Sequence, residues 1–320
     1  MIPENVRSSV LIQRLTSLGF AHVRSGKVRE TFAVPGFPQL LFIVCTDRIS
    51  IFDIVLNAFV ALKGAVLNAM TIFWIIEVFK DKPTHLVAFG KDMDRFLPKQ
   101  LHGDRNLYQR SMIVEKMVML PVEAIIRGRL TGSGWKDYQS NSGVVCGIQL
   151  PPGLHDGSAL PQNIFTPSTK ADMGLHDVNI SFEQLVALTD LEKAEWVRSE
   201  SLELFSRAAE YALPRGIIIA DTKMEFAWKK IGDEIITPDS SRFWPADKTE
   251  EAIATGKTPP SLDKQPVRDW GKSAGIKDNP TIVPPPEVLQ ATTGRYLKAF
   301  NMLVDMELRD FQEYKMGLTE

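Results

Sequence analysis

Cysteine is scarce in this chain, and its scarcity removes several functions at once. Only two are present, Cys45 and Cys146, widely separated and with no second thiol near either. Neither a thiolate zinc site nor a disulfide framework is expected, and a reducing cytoplasm is the expected setting. Charge of one sign is lacking too: 37 Lys and Arg face 39 Asp and Glu, a formal net charge of -2. That balance gives no footprint for nucleic acid or a membrane surface, and no protein partner is inferred. The most apolar helical run, Ala65 to Phe79, is too short for a bilayer and carries Asn68 and Glu77. The opening MIPENVRSSVLIQRL has no continuous apolar core of the kind a signal peptide needs. There is no internal repeat, no Walker A loop, no GxGxxG, and neither the H-R-D nor the D-F-G motif of protein kinases. The GKT at Gly256–Thr258 has Glu251 where a P-loop needs its first glycine. No Ser or Cys stands in a recognisable nucleophile setting, which argues against a hydrolytic triad.

What remains is an ordinary globular composition, 44% hydrophobic and 24% charged over 320 residues, enough for two packed lobes. Residues 1–118 mix β-type runs (AHVRSGKVRETFAV, QLLFIVCT, SMIVEKMVML) with one apolar helix, which predicts a small α+β lobe. A larger α+β lobe is expected over 119–320. There PVEAIIRGRLTGSGW reads as strand, and Ser181 with Gln184 makes a capping box opening one or two helices that close at Pro214 and Gly216. A polar, proline-rich excursion spans 245–286, too long for a simple connection and expected to be either disordered or laid over a site. The chain ends on a helix carrying Val288, Leu289, Tyr296, Leu297, Phe300 and Leu303.

The most informative stretch is GIIIADTKMEFAWKKIGDEIITPDSSRFW, Gly216 to Trp244. In a strand, alternate side chains oppose one another, so Asp221, Lys223 and Glu225 share one face and Met224, Phe226 and Trp228 the other. A wetted outer face is the plain alternative. Against it, the preceding GIIIA is apolar on both faces, so the charges begin where the strand leaves a covered region. KKIGD is expected to turn, bringing DEIITP alongside, with Asp233 and Glu234 near Glu225. Carboxylates beside a lysine suit Mg²⁺ and nucleotide phosphates: Glu225 with Asp233 or Glu234 on the metal, Lys223 on a phosphate. RGRLTGSGWK sets Arg127, Arg129, Thr131 and Ser133 at period two among glycines, a pattern suited to a phosphomonoester or to a charged edge strand. TPDSSRFW adds Asp239 and Arg242 in a turn. SGKVRE places Lys27 and Arg29 on one face, suited to covering ATP phosphates. CTDRISIFD sets Asp47, Arg48 and Ser50 at a strand end, and FTPSTKADMGLHD gathers Lys170, His176 and Asp177 in a loop.

In order along the chain, GKVRE, TDRISIFD, LKGAVLNAM, PVEAIIRGRLTGSGW, FTPSTKADMGLHD, GIIIADTKMEF, DEIITPDSSRFW and DKQPVRDW resemble the SAICAR synthetase family in its longer form. The resemblance implies an α+β, two-lobe ATP-binding fold related to ATP-grasp and kinase-like lobes, an antiparallel-sheet N-terminal lobe over a larger α+β lobe, with nucleotide between them. It implies an ATP-dependent, ADP-forming ligase of purine biosynthesis that joins carboxyaminoimidazole ribonucleotide (CAIR) to L-aspartate, with ATP and Mg²⁺ as cofactors. By the same resemblance, Lys27, Arg29, Glu115, Met117 and Lys223 meet the nucleotide, and Glu225 with Asp233 or Glu234 the metal. Arg127, Ser133 and Arg242 hold the ribotide phosphate. Asp239 and Asp177 contact the aminoimidazole or the incoming amine, while Asp47, Arg48, Ser50, Lys170 and His176 line the CAIR or aspartate pocket. The chain departs from the family pattern after DTK, reading MEFAW with Ala227 in place of a glycine. A small-molecule kinase using the same machinery and a catalytically inactive nucleotide-binding module are the competing expectations.

Overall fold

Short β-branched and aromatic runs punctuated by glycine turns pair locally, so both halves of the chain build antiparallel sheets. The computed structural model describes residues 8–170 and 178–319. These divide into two compact units. One holds the residues up to Ile76, His85–Met117, and those from Lys264 on; the other holds Glu77–Thr84 and Val118–Asp263.

The first unit starts with α1 (Ser9–Ser17), β1 (Ala21–Ser25), β2 (Arg29–Val34) and β3 (Phe37–Cys45). A hairpin of β4 (Arg48–Ile51) and β5 (Ile54–Phe59) follows, then the fully buried α2 (Lys63–Phe73), which runs on into a single π turn. Next come β6 (Leu86–Phe89), a short α3 (Arg105–Tyr108) and β7 (Ser111–Glu115). The sheet order is β1-β2-β3-β7-β6, antiparallel throughout. Alternation along β2 puts Glu30, Phe32 and Val34 inside.

The second unit is built on β8 (Val122–Arg129), which runs into α4 (Gly132–Ser140). The strand expected to continue through TGSGW stops at Arg129, because Gly132 turns the chain at a φ of +61° and a helix begins. After β9 (Val144–Val145) and β10 (Ile148–Gln149) come β11 (Ala159–Phe165) and β12 (Ser168–Thr169). The expected capping box at Ser181 and Gln184 opens α5 (Phe182–Leu188), and α6 (Leu191–Ala212) follows. The unit ends with β13 (Ile217–Ala227), β14 (Lys230–Gly232), β15 (Ser241–Pro245) and α7 (Ala246–Ala254). Sheet order is β11-β8-β13-β14, with β12 also on β8 and β15 also on β13.

The chain from Lys264 on, expected with the larger second lobe, packs instead within the first unit. Its α8 (Gln265–Ser273) supplies Val267 to an apolar cluster with Ile49, Ile51, Leu56 and Ala58 of the β4–β5 hairpin, joined by Ile276 just beyond the helix. Gly271 lies so close that a Cβ there would sit 2.4 Å from the Ile51 side chain. Helix α9 (Pro286–Val304) packs on α2 and α8, and α10 (Leu308–Tyr314) closes over both α2 and α9. The physical reason is that the hairpin has an apolar face with no sheet to cover it. Excursion 245–286 is therefore not structureless; it contains α7 and α8. Among the described residues no helix is long and apolar enough to cross a membrane.

Phe300 is fully buried and meets the Phe311 ring edge-on at 5.6 Å. Phe300→Ala is expected to cost about 3–5 kcal/mol of stability, measured by urea unfolding; a loss below about 1 kcal/mol would contradict this packing.

Candidate functional site

Strand β13 has one apolar face and one charged face. Phe226 meets the edge of Trp196 on α6, and α6 packs across β8, β11 and β13, so that side of the sheet is closed. Asp221, Lys223 and Glu225 point to the other side, as the alternation predicts. The adjoining β8 pairs Asp221 with Arg127 and Lys223 with Ile125, while β15 pairs Asp221 with Arg242. Asp221 thus lies between two arginines on flanking strands.

One carboxylate oxygen serves both of them. The Arg127 Nη1 donates to Asp221 Oδ2 at 3.0 Å, and Arg242 Nη1 donates to the same oxygen. Arg127 is only 1% exposed, and its remaining donors reach the Thr166 hydroxyl (3.0 Å), the Thr131 carbonyl (3.2 Å) and Ser133 Oγ (2.7 Å). Burial draws this guanidinium below its usual range, against the pull of Asp221. For Arg242 burial acts the same way but is outweighed by Asp221 and Asp263, so its affinity for the proton rises. The Arg242 side chain keeps 24% of its surface exposed, and Ser133 is exposed. The glycines of TGSG make room for both groups: a Cβ at Gly132 would lie 2.5 Å from Arg242 Nη2, and one at Gly134 2.8 Å from Arg127 Nε. The accessible part of Arg242 and the Ser133 hydroxyl, beside the first turn of α4, are groups of the kind that can bind an anion, with Arg127 buried behind them. Arg129, by contrast, pairs with Glu250 at 2.6 Å and is not part of it.

Further along the same face, ammonium and carboxylate groups alternate. Lys170 pairs with Glu225, Lys223 pairs with Glu123, and Lys223 stands 3.8 Å from the second Glu225 oxygen. Burial lowers the proton affinity of Lys223, but Glu123, Glu225 and Asp233 more than offset this and hold its pKa above the usual lysine value. The ammonium therefore stays charged at any physiological pH. Glu123 is the residue the sequence reading missed. Its signal was available, because Glu123, Ile125, Arg127 and Arg129 alternate on one face of β8.

The turn expected in KKIGD falls earlier, at Trp228 and Lys229, the latter at a φ of +59°. Consequently the partner strand is β14, with Gly232 opposite Glu225, and Asp233 follows directly at a φ of +57°. Glu234 is turned aside into the next loop, where its carboxylate accepts from Thr237 Oγ1 at 2.7 Å. Asp239 is half-buried on that loop, its amide donating to Thr237 Oγ1 at 3.2 Å. Among the described residues no three His, Cys, Asp or Glu side chains are gathered as a ligand set. Glu225 and Asp233 still offer the hard oxygen donors that Mg²⁺ takes, since that ion uses one or two carboxylates and completes its shell with water and phosphate oxygens. A cavity of about 480 Å³ opens beside Ser133, lined also by Asp137, Asn141, Cys146, Asn179 and Gln184. It does not include the lysine ladder.

In the first unit, Lys27 sits on the turn between β1 and β2 and pairs with Asp53 at the tip of the β4–β5 hairpin. Asp47 is occupied structurally: one oxygen accepts the Gly64 amide at the start of α2 (2.9 Å), the other faces Arg110 at 3.2 Å. Arg48 is 0% exposed, which corrects its assignment to a substrate pocket; it is walled in by protein. Ser50 and Arg29 are half-buried, as are Glu115 and Met117 at the end of β7. His176 and Asp177 lie outside the described residues.

The family model for SAICAR synthetase matches residues 22–282. The chain belongs to the SAICAR synthetase family. The phosphoribosylaminoimidazole-succinocarboxamide synthase of Neisseria meningitidis serogroup A is 42% identical over 295 residues, covering 90% of this chain and 99% of its own length. That of Saccharopolyspora erythraea is 43% identical over 302 residues, covering 91% and 96%. The SAICAR synthase of Saccharomyces cerevisiae, complexed with SAICAR, has a TM-score of 0.79 at 34% identity over 90% of this chain and 96% of its own. A type-2 SAICAR synthetase in complex with ADP shares the fold, at a TM-score of 0.62 and 21% identity. The expected α+β class is that of these SAICAR synthetases.

Two outcomes test this geometry. Gly132→Ala combines a left-handed backbone with the Arg242 contact and is expected to lose more than ~1 kcal/mol of stability in urea; an unchanged midpoint would contradict the packing. Burial, partly opposed by Arg127, pushes the Cys146 thiol up to about 11. Alkylation of Cys146 in the folded protein is therefore expected to be slow at pH 8 and to accelerate only as pH nears that value, whereas thiolate reactivity already full at pH 8 would contradict it.

Proposed function

We infer that this chain is an ATP-dependent ligase: it condenses CAIR with L-aspartate to give SAICAR, ADP and phosphate in purine biosynthesis. The observation that carries the reading is the face of β8 and β13, where a phosphate-type anion site and an ammonium–carboxylate ladder adjoin on neighbouring strands. A carboxylate is a poor electrophile, because hydroxide is a poor leaving group. Moving the γ-phosphoryl of ATP onto a carboxylate oxygen of CAIR solves this. The aspartate amine then forms the C–N bond, the C–O bond breaks, phosphate departs with that oxygen, and the amine gives up a proton.

The residues divide the work as follows. Ser133 and the exposed edge of Arg242 hold the ribotide phosphate, with Arg127 behind Ser133. Lys223, kept charged by its acidic neighbours, balances the phosphoryl group in transfer, where positioning and neutralisation supply most of the catalysis. Glu225 and Asp233 would hold the metal, in preference to Glu234, which Thr237 engages. Mg²⁺ bound there supplies charge neutralisation at the phosphates. Lys170 orients Glu225. Lys27, with Arg29, Glu115 and Met117, serves the nucleotide, and Asp239 with Asp177 the aminoimidazole or the incoming amine. Ser50 and His176 complete the substrate assignments, and Asp47, engaged by Gly64 and Arg110, is left out of them. A reducing cytoplasm and small-molecule substrates complete the reading.

The test is ADP release by purified protein with ATP, Mg²⁺ and CAIR, with and without L-aspartate. Aspartate-dependent release is expected, and release that proceeds fully without it would favour the small-molecule kinase. Glu225→Gln is expected to lower turnover by at least ~100-fold while the protein still unfolds cooperatively. Full activity in that variant would return Glu225 to a merely wetted sheet face.

A further inference from the structure

A completely buried arginine needs a reason, because desolvating a guanidinium is costly unless all its donors are met. For Arg48 every donor is met, and three of the acceptors are main-chain carbonyls of a single turn. Its Nε donates to Lys27 O at 3.2 Å, and its Nη2 to Gly26 O at 2.9 Å and Arg29 O at 3.4 Å. The Nη1 donates to Glu30 Oε1 at 2.5 Å and Ser8 Oγ at 2.9 Å. Glu30 is itself fully buried, and its other oxygen takes the Ser25 hydroxyl at 2.6 Å and faces His22 Nε2 at 3.0 Å. The guanidinium is therefore wrapped by the turn from Gly26 to Arg29, with the Glu30 charge opposite it.

Arg48 opens the β4–β5 hairpin, and that hairpin is fixed from behind by Val267 of α8 and by Ile276. Its tip supplies Asp53, which holds the Lys27 ammonium. One rigid element thus grips the turn twice, by its backbone through Arg48 and by its side chain through Asp53. A planar fork with five fixed donors can span several carbonyls at once, whereas a lysine ammonium in the same space cannot reach them all.

We propose that Arg48 is a positioning residue for nucleotide binding: it sets the backbone of the Gly26–Arg29 turn and so the place from which Lys27 meets phosphate. The inference rests on the reading of Lys27 as a phosphate ligand. Arg48 touches no substrate and acts through that turn.

The experiment compares steady-state kinetics of the full-length protein as wild type, Lys27→Ala, Arg48→Lys and the double variant, varying ATP at saturating CAIR and aspartate, and then varying CAIR. Lys27→Ala is expected to raise the KM for ATP roughly tenfold or more, as loss of a charge-assisted contact does. Arg48→Lys is expected to raise the KM for ATP several-fold with the KM for CAIR unchanged, and the double variant to be no worse than Lys27→Ala, because the two act as a unit. An unchanged KM for ATP in Lys27→Ala would sink the reading of Lys27 itself. A normal KM for ATP in Arg48→Lys, equal changes for ATP and CAIR, or additive effects in the double variant would overturn the positioning role while leaving Lys27 in place. Should Arg48→Lys fail to fold, Glu30→Gln, which keeps the shape and removes the opposing charge, is read by the same split between the two KM values.

Discussion

The second unit depends on one shared oxygen. Asp221 Oδ2 accepts from both Arg127 and Arg242, which come from the two strands flanking β13. Without it the buried Arg127 guanidinium would be left as uncompensated charge in the sheet, a cost of about 3–5 kcal/mol for a broken buried pair. Strand register is therefore tied to charge pairing as well as to hydrophobic alternation. A slip of one residue in β8 or β15 would strand an arginine and turn its neighbour outward. The glycines at 132 and 134 belong to the same constraint, since the space a Cβ would need is occupied by the guanidiniums.

The device recurs with other residues. Lys223 is held charged between Glu123 and Glu225, and Arg48 is held by Glu30 and a ring of carbonyls. In each case the charge, buried for Arg48 and partly exposed for Lys223, is satisfied by protein groups whose geometry the backbone fixes, so its neighbour is presented without prior reorganisation. For Arg127 that neighbour is Ser133, and for Arg48 it is the Lys27 turn.

How much of this the sequence revealed depends on the range of the signal. Period-two alternation is local, so the common face of Asp221, Lys223 and Glu225 was legible, and so were the capping box at Ser181 and the helix over Pro286–Val304. Glu123 carries the same local signal on β8, two and four positions before Ile125 and Arg127 on the same face. The turn after β13 falls earlier than expected, because Lys229 adopts a positive φ without glycine, asparagine or aspartate chemistry while Gly232 and Asp233 carry the local turn signal. Two features were beyond local reading. The return of residues from Lys264 to the first unit is decided by which apolar face lacked a cover, and the burial of Arg48 by carbonyls some twenty positions earlier in the chain. Charged residues at strand ends are ordinarily wet, and only the fold shows that this one is dry.

The claim that one carboxylate holds Arg242 at a sugar phosphate, with Arg127 fixing Ser133 behind it, is tested most directly by calorimetric titration of wild type and Asp221→Asn. The titrants are an aminoimidazole ribotide and its dephosphorylated riboside. The account predicts that the variant loses at least ~tenfold in affinity for the ribotide and none for the riboside. An equal loss for both ligands, or undiminished ribotide binding, would contradict it.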